Sequence, residues 1–238
     1  MTPNPNNAPI IIALDVATVT EARTLVRTLG DAVSFYKVGL ELYAAPEKNG
    51  GMEFVRELRG EGKRVFLDLK MYDIPETIKR AVAQVARAGP DFLSIHGIPA
   101  VMRAAMEGRA NSALKLLAVT VLTSFDDDDV HEMGFTYTLA ELVDRKTRAA
   151  RAAGVDGLIT SPREVARVRE IAGPSAILVT PGVRSAGAAK GDQKRVATPE
   201  EALAHGANYV VIGRQVTRDP DPRGAASRIL DEIAAATR

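Results

Sequence analysis

Cysteine is absent from this 238-residue chain, which excludes disulfides, cysteine-bound iron–sulfur clusters and cysteine-ligated zinc. An excess of either charge is missing too. The 31 basic and 30 acidic residues leave a formal charge of +1, so the balance gives no argument for nucleic acid or an anionic membrane surface as a partner. Long hydrophobic runs are lacking. The early apolar stretch 10–14 is far shorter than the roughly 20 residues of a membrane span. No basic region precedes it, as one would in a secretory leader. There is no low-complexity segment and no linker, and no Walker loop, His-Glu-x-x-His pair or Gly-x-Ser-x-Gly elbow. These absences predict a cytoplasmic globular enzyme or binding protein with no metal site and no membrane partner.

What is present is a sizeable apolar fraction, 46%, arranged in short runs at 10–14, 34–38, 64–69, 91–95, 116–122, 157–160, 176–180 and 209–212. Amphipathic stretches lie between them, among them 20–29, 52–60, 75–88, 139–153, 162–171 and 199–206. Unalternated apolar strands separated by helices indicate a parallel sheet buried on both faces. Eight such units predict an α/β fold of the (β/α)8 TIM-barrel type, one domain over 9–238 behind a polar, Pro-rich tail at 1–8 expected to be frayed. A doubly wound open sheet is the alternative, but Asp15-Val16-Ala17-Thr18 is not the glycine-rich turn that fold usually carries. Thr198-Pro199-Glu200-Glu201 and Ser161-Pro162-Arg163-Glu164 both read as helix starts, with a hydroxyl cap, proline next and early acids. The small-residue segment 181–194 after the seventh strand reads as a mobile active-face loop.

In a barrel the chemistry sits at the C-terminal strand ends. The third strand runs into Asp68-Leu69-Lys70-Met71-Tyr72-Asp73-Ile74-Pro75-Glu76-Thr77, three ionisable groups within six positions. Strand alternation puts Asp68 and Lys70 on one face and Leu69 on the other. Asp15 ends strand one and Lys37 lies near the end of strand two. Lys37, Asp68, Lys70 and Asp73 together make two cations and two anions, which can remain ionised where a lone charge could not. Strand five ends in Thr123-Ser124, strand seven runs through Pro181 to Arg184 and Gln193, and strand eight ends in Gly213-Arg214. Loops seven and eight of such barrels commonly hold phosphate, and the guanidiniums suit that task. His96 reads as a hydrogen-bonded structural histidine. The run Asp126-Asp127-Asp128-Asp129 reads as a solvated loop or helix start, not a metal site.

The chain resembles the orotidine 5′-phosphate decarboxylases. Their signature Asp-x-Lys-x-x-Asp-Ile-Pro-x-Thr is matched at every fixed position from Asp68 to Thr77. Further likeness runs through Leu14-Asp15, Lys37-Val38-Gly39, residues 119–124, Thr180 to Arg184, Asp192-Gln193 and Val211 to Arg214. The resemblance implies cofactor-free conversion of orotidine 5′-phosphate to UMP and carbon dioxide in a homodimer with shared sites. Lys70 would be the general acid and Asp68 would face the departing carboxylate. Lys37 would hold the charge network and a ribose hydroxyl, Asp15 would take ribose hydroxyls too, Asp73 and Thr77 would reach into the partner's site, and Ile74 would contact the substrate. Thr123 or Ser124 would contact the pyrimidine. Arg184, Gln193, Gly213 and Arg214 would hold the phosphate and close the lid, and Pro181 would contact the substrate. A rival resemblance is to the magnesium-dependent sugar-phosphate lyases of the same superfamily. They share the Asp-x-Lys-x-x-Asp element but usually carry an acid where this chain has Lys37.

Overall fold

Every strand turns alternate residues inward, and the inward rows fill a closed barrel. The computed structural model describes residues 8–48, 50–185 and 197–236. Its strands are β1 (Ile10–Ala13), β2 (Phe35–Gly39), β3 (Arg64–Met71), β4 (Phe92–His96), β5 (Lys115–Val119), β6 (Gly157–Ile159), β7 (Ile177–Thr180) and β8 (Tyr209–Ile212). All are parallel to their neighbours and lie in sequence order, and β1 closes the ring on β8 through Ile10↔Val210, Ile11↔Val211 and Ile12↔Ile212. Closure removes the open-sheet alternative. Ile11, Phe35, Phe66, Phe92, Leu117 and Val179 pack together inside, while Ile10, Ile12, Tyr36, Val38 and Leu67 belong to the larger core under the helices. Burial on both faces is why the strands read as continuous apolar runs.

The principal helices are α1 (Val19–Leu29), α3 (Met52–Gly60), α4 (Pro75–Ala88), α5 (Pro99–Arg109), α7 (Leu139–Ala153), α8 (Val165–Ala172), α9 (Pro199–Ala204) and α11 (Pro222–Ala236); α2 (Leu40–Tyr43), α6 (Asp127–Glu132) and α10 (Arg214–Thr217) are short. Thr198 caps α9 as its sequence implies, with a reciprocal Glu201 contact, and Thr138 and Glu141 do the same for α7. Ser161 does not cap α8. Its hydroxyl accepts from the Arg163 N–H (3.3 Å), and the helix begins later, at Val165. The acidic run starts α6: Asp126 and Asp129 form a capping box, and Asp127 accepts from the Leu139 N–H (2.6 Å). The carboxylates of Asp126, Asp127 and Asp129 are thus used by backbone donors.

Two further expectations are corrected. Ala8, assigned to the tail, is buried in the core; residues 1–7 lie outside the described residues. Strand five stops at Val119, not 122; the Thr120 N–H still donates to the Ile159 carbonyl of β6 (3.1 Å), and the Thr120 hydroxyl donates to the same oxygen (3.0 Å). At the opposite end the Arg64 guanidinium lies 4.0 Å from the Phe35 ring centre and 5.3 Å from that of Tyr209, closing the barrel floor. Among the described residues no helix is long and apolar enough to cross a membrane.

Candidate active site

The inward rows that are apolar at the floor become charged at the mouth. On β1 the row Ile11–Ala13 leads to Asp15, on β2 Phe35 is followed by Lys37, and on β3 Phe66 is followed by Asp68. Around them is a cavity of about 460 Å³ whose lining includes Asp15, Lys37, Asp68 and Lys70. Thr123, Pro181, Arg184, Gly213 and Arg214 line it too, together with Glu41 and Arg218, which sequence reasoning missed. Arg218 caps the short helix opened by Arg214, so its one-turn spacing was the available signal.

The charged side chains alternate in sign. Lys37 Nζ donates to Asp15 Oδ1 (2.8 Å) and lies 3.6 Å from Asp68 Oδ2, which in turn accepts from Lys70 Nζ (2.8 Å). Lys37 and Asp68 are buried, at 9% and 7% exposure, so their charges depend on one another. Burial alone would pull the Lys37 ammonium down, but Asp68 and Asp15 outweigh it and hold the ammonium above its usual range. Burial likewise pushes Asp68 up, yet Lys37, Lys70 and the Ser94 hydroxyl hold it below the ordinary carboxylate value. Gly39 leaves the room this requires: a Cβ there would sit 2.8 Å from Lys37 Nζ and 3.2 Å from Asp15 Oδ1.

Asp68 and Lys70 do meet, but not by simple strand alternation. Leu67 pairs with Leu93 and Met71 with Ile95, so β3 bulges between them and Lys70 takes a left-handed backbone (φ 47°). Ser94, wholly buried on β4, accepts from the Lys70 N–H (2.8 Å) and donates to Asp68 Oδ1 (2.7 Å). Sequence reasoning missed it; a lone serine in Phe92-Leu93-Ser94-Ile95-His96 was the signal.

The quartet expected from the sequence is altered. Asp15, not Asp73, is the fourth member within the chain. Asp73 is exposed, and its carboxylate accepts from the Ile74 N–H (2.7 Å) as the chain turns outward toward Pro75. Ile74 is 66% exposed, and neither it, Thr77 nor Ser124 lines the cavity. Gln193 lies outside the described residues. His96 packs its ring 5.5 Å from that of Tyr72, and no ring hydrogen bond joins it among the described residues. Burial, then Lys146 and Lys70, hold its pKa below the usual histidine value.

At the far wall Arg184 is pulled below the ordinary guanidinium range by burial and then by Arg214. Two like charges sharing a cleft favour an anion between them. Among the described residues no set of three His, Cys, Asp or Glu side chains is placed to hold a metal ion. The cavity therefore has a cationic end suited to an anionic group and a buried end of alternating sign in which an ammonium faces open space.

Comparison with known proteins agrees with this architecture. The family model described as "Orotidine 5'-phosphate decarboxylase / HUMPS family" matches residues 8–229. The orotidine 5′-phosphate decarboxylase of Rhodopseudomonas palustris is 49% identical over 98% of this chain and 96% of its own length. That of a Caulobacter species is 51% identical over 94% and 96%. A crystal structure of orotidine 5′-phosphate decarboxylase from Lactobacillus acidophilus superposes with a TM-score of 0.82 at 33% identity, covering 95% of this chain and 99% of that one.

Proposed function

This chain belongs to the orotidine 5′-phosphate decarboxylase / HUMPS family, and from that premise we propose that it converts orotidine 5′-phosphate to UMP and carbon dioxide, without metal or cofactor, as the last step of pyrimidine nucleotide synthesis in the cytoplasm. The single observation that carries the reading is the Asp15–Lys37–Asp68–Lys70 chain at the mouth of the barrel.

Breaking the bond from C6 to the carboxylate leaves its electron pair on C6, in an orbital that does not mix with the ring π system. With no electron sink in the substrate, fixed positive charge must stabilise that carbon. Lys70 supplies it: its ammonium is already oriented by Asp68 and needs no reorganisation when the charge develops. The ammonium then transfers a proton to C6, and the resulting amine regains one from solvent. Asp68 faces the departing carboxylate, and its negative charge opposes the bound ground state. Arg184 and Arg214 grip the phosphate beside Gly213 and Pro181, so binding energy from a remote group holds the pyrimidine against Lys70. Thr123, the strand-five residue on the cavity wall, contacts the pyrimidine in this reading. Asp73, Ile74 and Thr77 serve a partner's site in a homodimer. Their position off their own cavity and the 67% and 66% exposure of Tyr72 and Ile74 support that assignment.

The competing reading is a magnesium-dependent sugar-phosphate lyase. Lys37 speaks against it, because its ammonium stands between Asp15 and Asp68, where a lyase would place a divalent cation. Protein treated exhaustively with EDTA is expected to retain full turnover of orotidine 5′-phosphate, followed by loss of substrate absorbance. Activity lost on chelation and restored by magnesium would favour the lyase.

A further inference from the structure

We infer that Ser94 is a positioning residue for this reaction, its one buried hydroxyl setting both the backbone at Lys70 and the orientation of the Asp68 carboxylate. The register of β3 on β4 creates the need for it. Leu67 pairs with Leu93 and Met71 with Ile95, so Asp68, Leu69 and Lys70 together stand opposite Ser94 alone. A bulge of this kind leaves ladder groups unpaired. The Lys70 N–H is one that needs a partner, and Lys70 also sits at φ 47°, a region that a residue with a Cβ seldom adopts. Ser94 Oγ accepts that N–H at 2.8 Å.

The same oxygen donates its proton to Asp68 Oδ1 at 2.7 Å. An ionised carboxylate only accepts and a backbone N–H only donates, so the group between them must do both through one atom. A hydroxyl does this, and a methyl does neither. With Oδ1 fastened to Ser94, the plane of the carboxylate is fixed and Oδ2 is presented to Lys70 Nζ at 2.8 Å and Lys37 Nζ at 3.6 Å. Ser94 has no solvent exposure, so neither of its bonds is shared with bulk water. Ser94 touches no reacting atom; it acts through Lys70 and Asp68.

The kinetic part of the test rests on the decarboxylase reading, so a second readout is taken on the free protein. Ser94→Ala is expected to lower kcat roughly 10- to 100-fold, the scale of a misplacement of about 1 Å, with KM changed less than about threefold. The acid limb of kcat/KM moves to higher pH, because Asp68 loses a donor to its charged form while Lys37 and Lys70, the cations facing it from β2 and β3, and Asp15 beyond Lys37 remain. Ser94→Cys, which keeps a weak donor and acceptor in place, falls between wild type and alanine. If the alanine variant does not fold, the cysteine variant is read alone, with a smaller kcat loss at unchanged KM. Independently of turnover, amide hydrogen exchange at Lys70 becomes at least about tenfold faster on loss of the hydroxyl, as local opening requires. Unchanged kcat, unchanged Lys70 exchange, or an effect confined to KM overturns the inference. A wild-type protein that leaves orotidine 5′-phosphate intact refutes the functional reading instead, and the exchange measurement still decides the role of Ser94.

Discussion

Lys70→Ala is expected to lower turnover of orotidine 5′-phosphate by on the order of 10⁴-fold or more, while UMP still binds. The magnitude joins two losses, since the ammonium is both the proton donor, worth roughly 10²–10⁴-fold, and the fixed positive charge beside C6, worth roughly 10²–10³-fold. Binding persists because the phosphate end, with Arg184, Gly213 and Arg214, is built by the segments after β7 and β8 and not by β3, and Asp68 retains Lys37 at 3.6 Å. The check pairs a steady-state rate with UMP titration calorimetry; a rate within tenfold of wild type would remove Lys70 from its role. The same variant probes Asp73. Mixed with the inactive Asp73→Asn protein and allowed to exchange subunits, it recovers activity if Asp73 completes a partner's site, because one hybrid site then has both residues intact. Verified hybrids without recovery would count against sharing.

Lys37→Met is expected to cost about 3 kcal/mol of stability at neutral pH, the lower end of the range for removing one partner of a buried ion pair. The side chains of Lys37 and Asp68 are only 11% and 10% exposed, whereas that of Asp15 is 51% exposed and rehydrates readily. The cost therefore falls on Asp68. In the wild type its pKa lies below the ordinary 3.8, so its contribution is present above that pH and is lost as pH falls through the lower folded value. Lys37 has a pKa above the ordinary 10.5, so its contribution is full below that pH and is lost only as pH rises through the higher folded value. Neutral pH lies inside both windows. Without Lys37 the Asp68 pKa rises, so the gap in stability between variant and wild type narrows as pH falls toward the carboxylate range. Urea unfolding at several pH values between neutrality and about 4 measures this; a gap independent of pH would show that the buried carboxylate is not its source.

The barrel was legible because strands buried on both faces leave uninterrupted apolar runs, and because Thr198 and Pro75 punctuate helices by local rules. Lys37, Asp68 and Lys70 could be placed together from strand ends alone, and Asp15 on the same rim but not as their fourth member. The details that depend on a neighbouring strand could not. The bulge at Lys70 arises from how β3 registers on β4, some 24 residues away in sequence, and only that register explains Ser94. Asp73, which the sequence puts beyond the end of the strand, does lie past β3, but that its carboxylate accepts from the Ile74 N–H, and so stays out of the chain's own charge network, depends on the local turn.

A crystal structure of the protein with bound UMP tests the account most directly. The phosphate should lie against Arg184 and Arg214, with pyrimidine C6 about 3–3.5 Å from Lys70 Nζ, the separation of a near-attack geometry. A nucleotide seated in the opposite sense, with phosphate on the lysines and the base among the arginines, would contradict it.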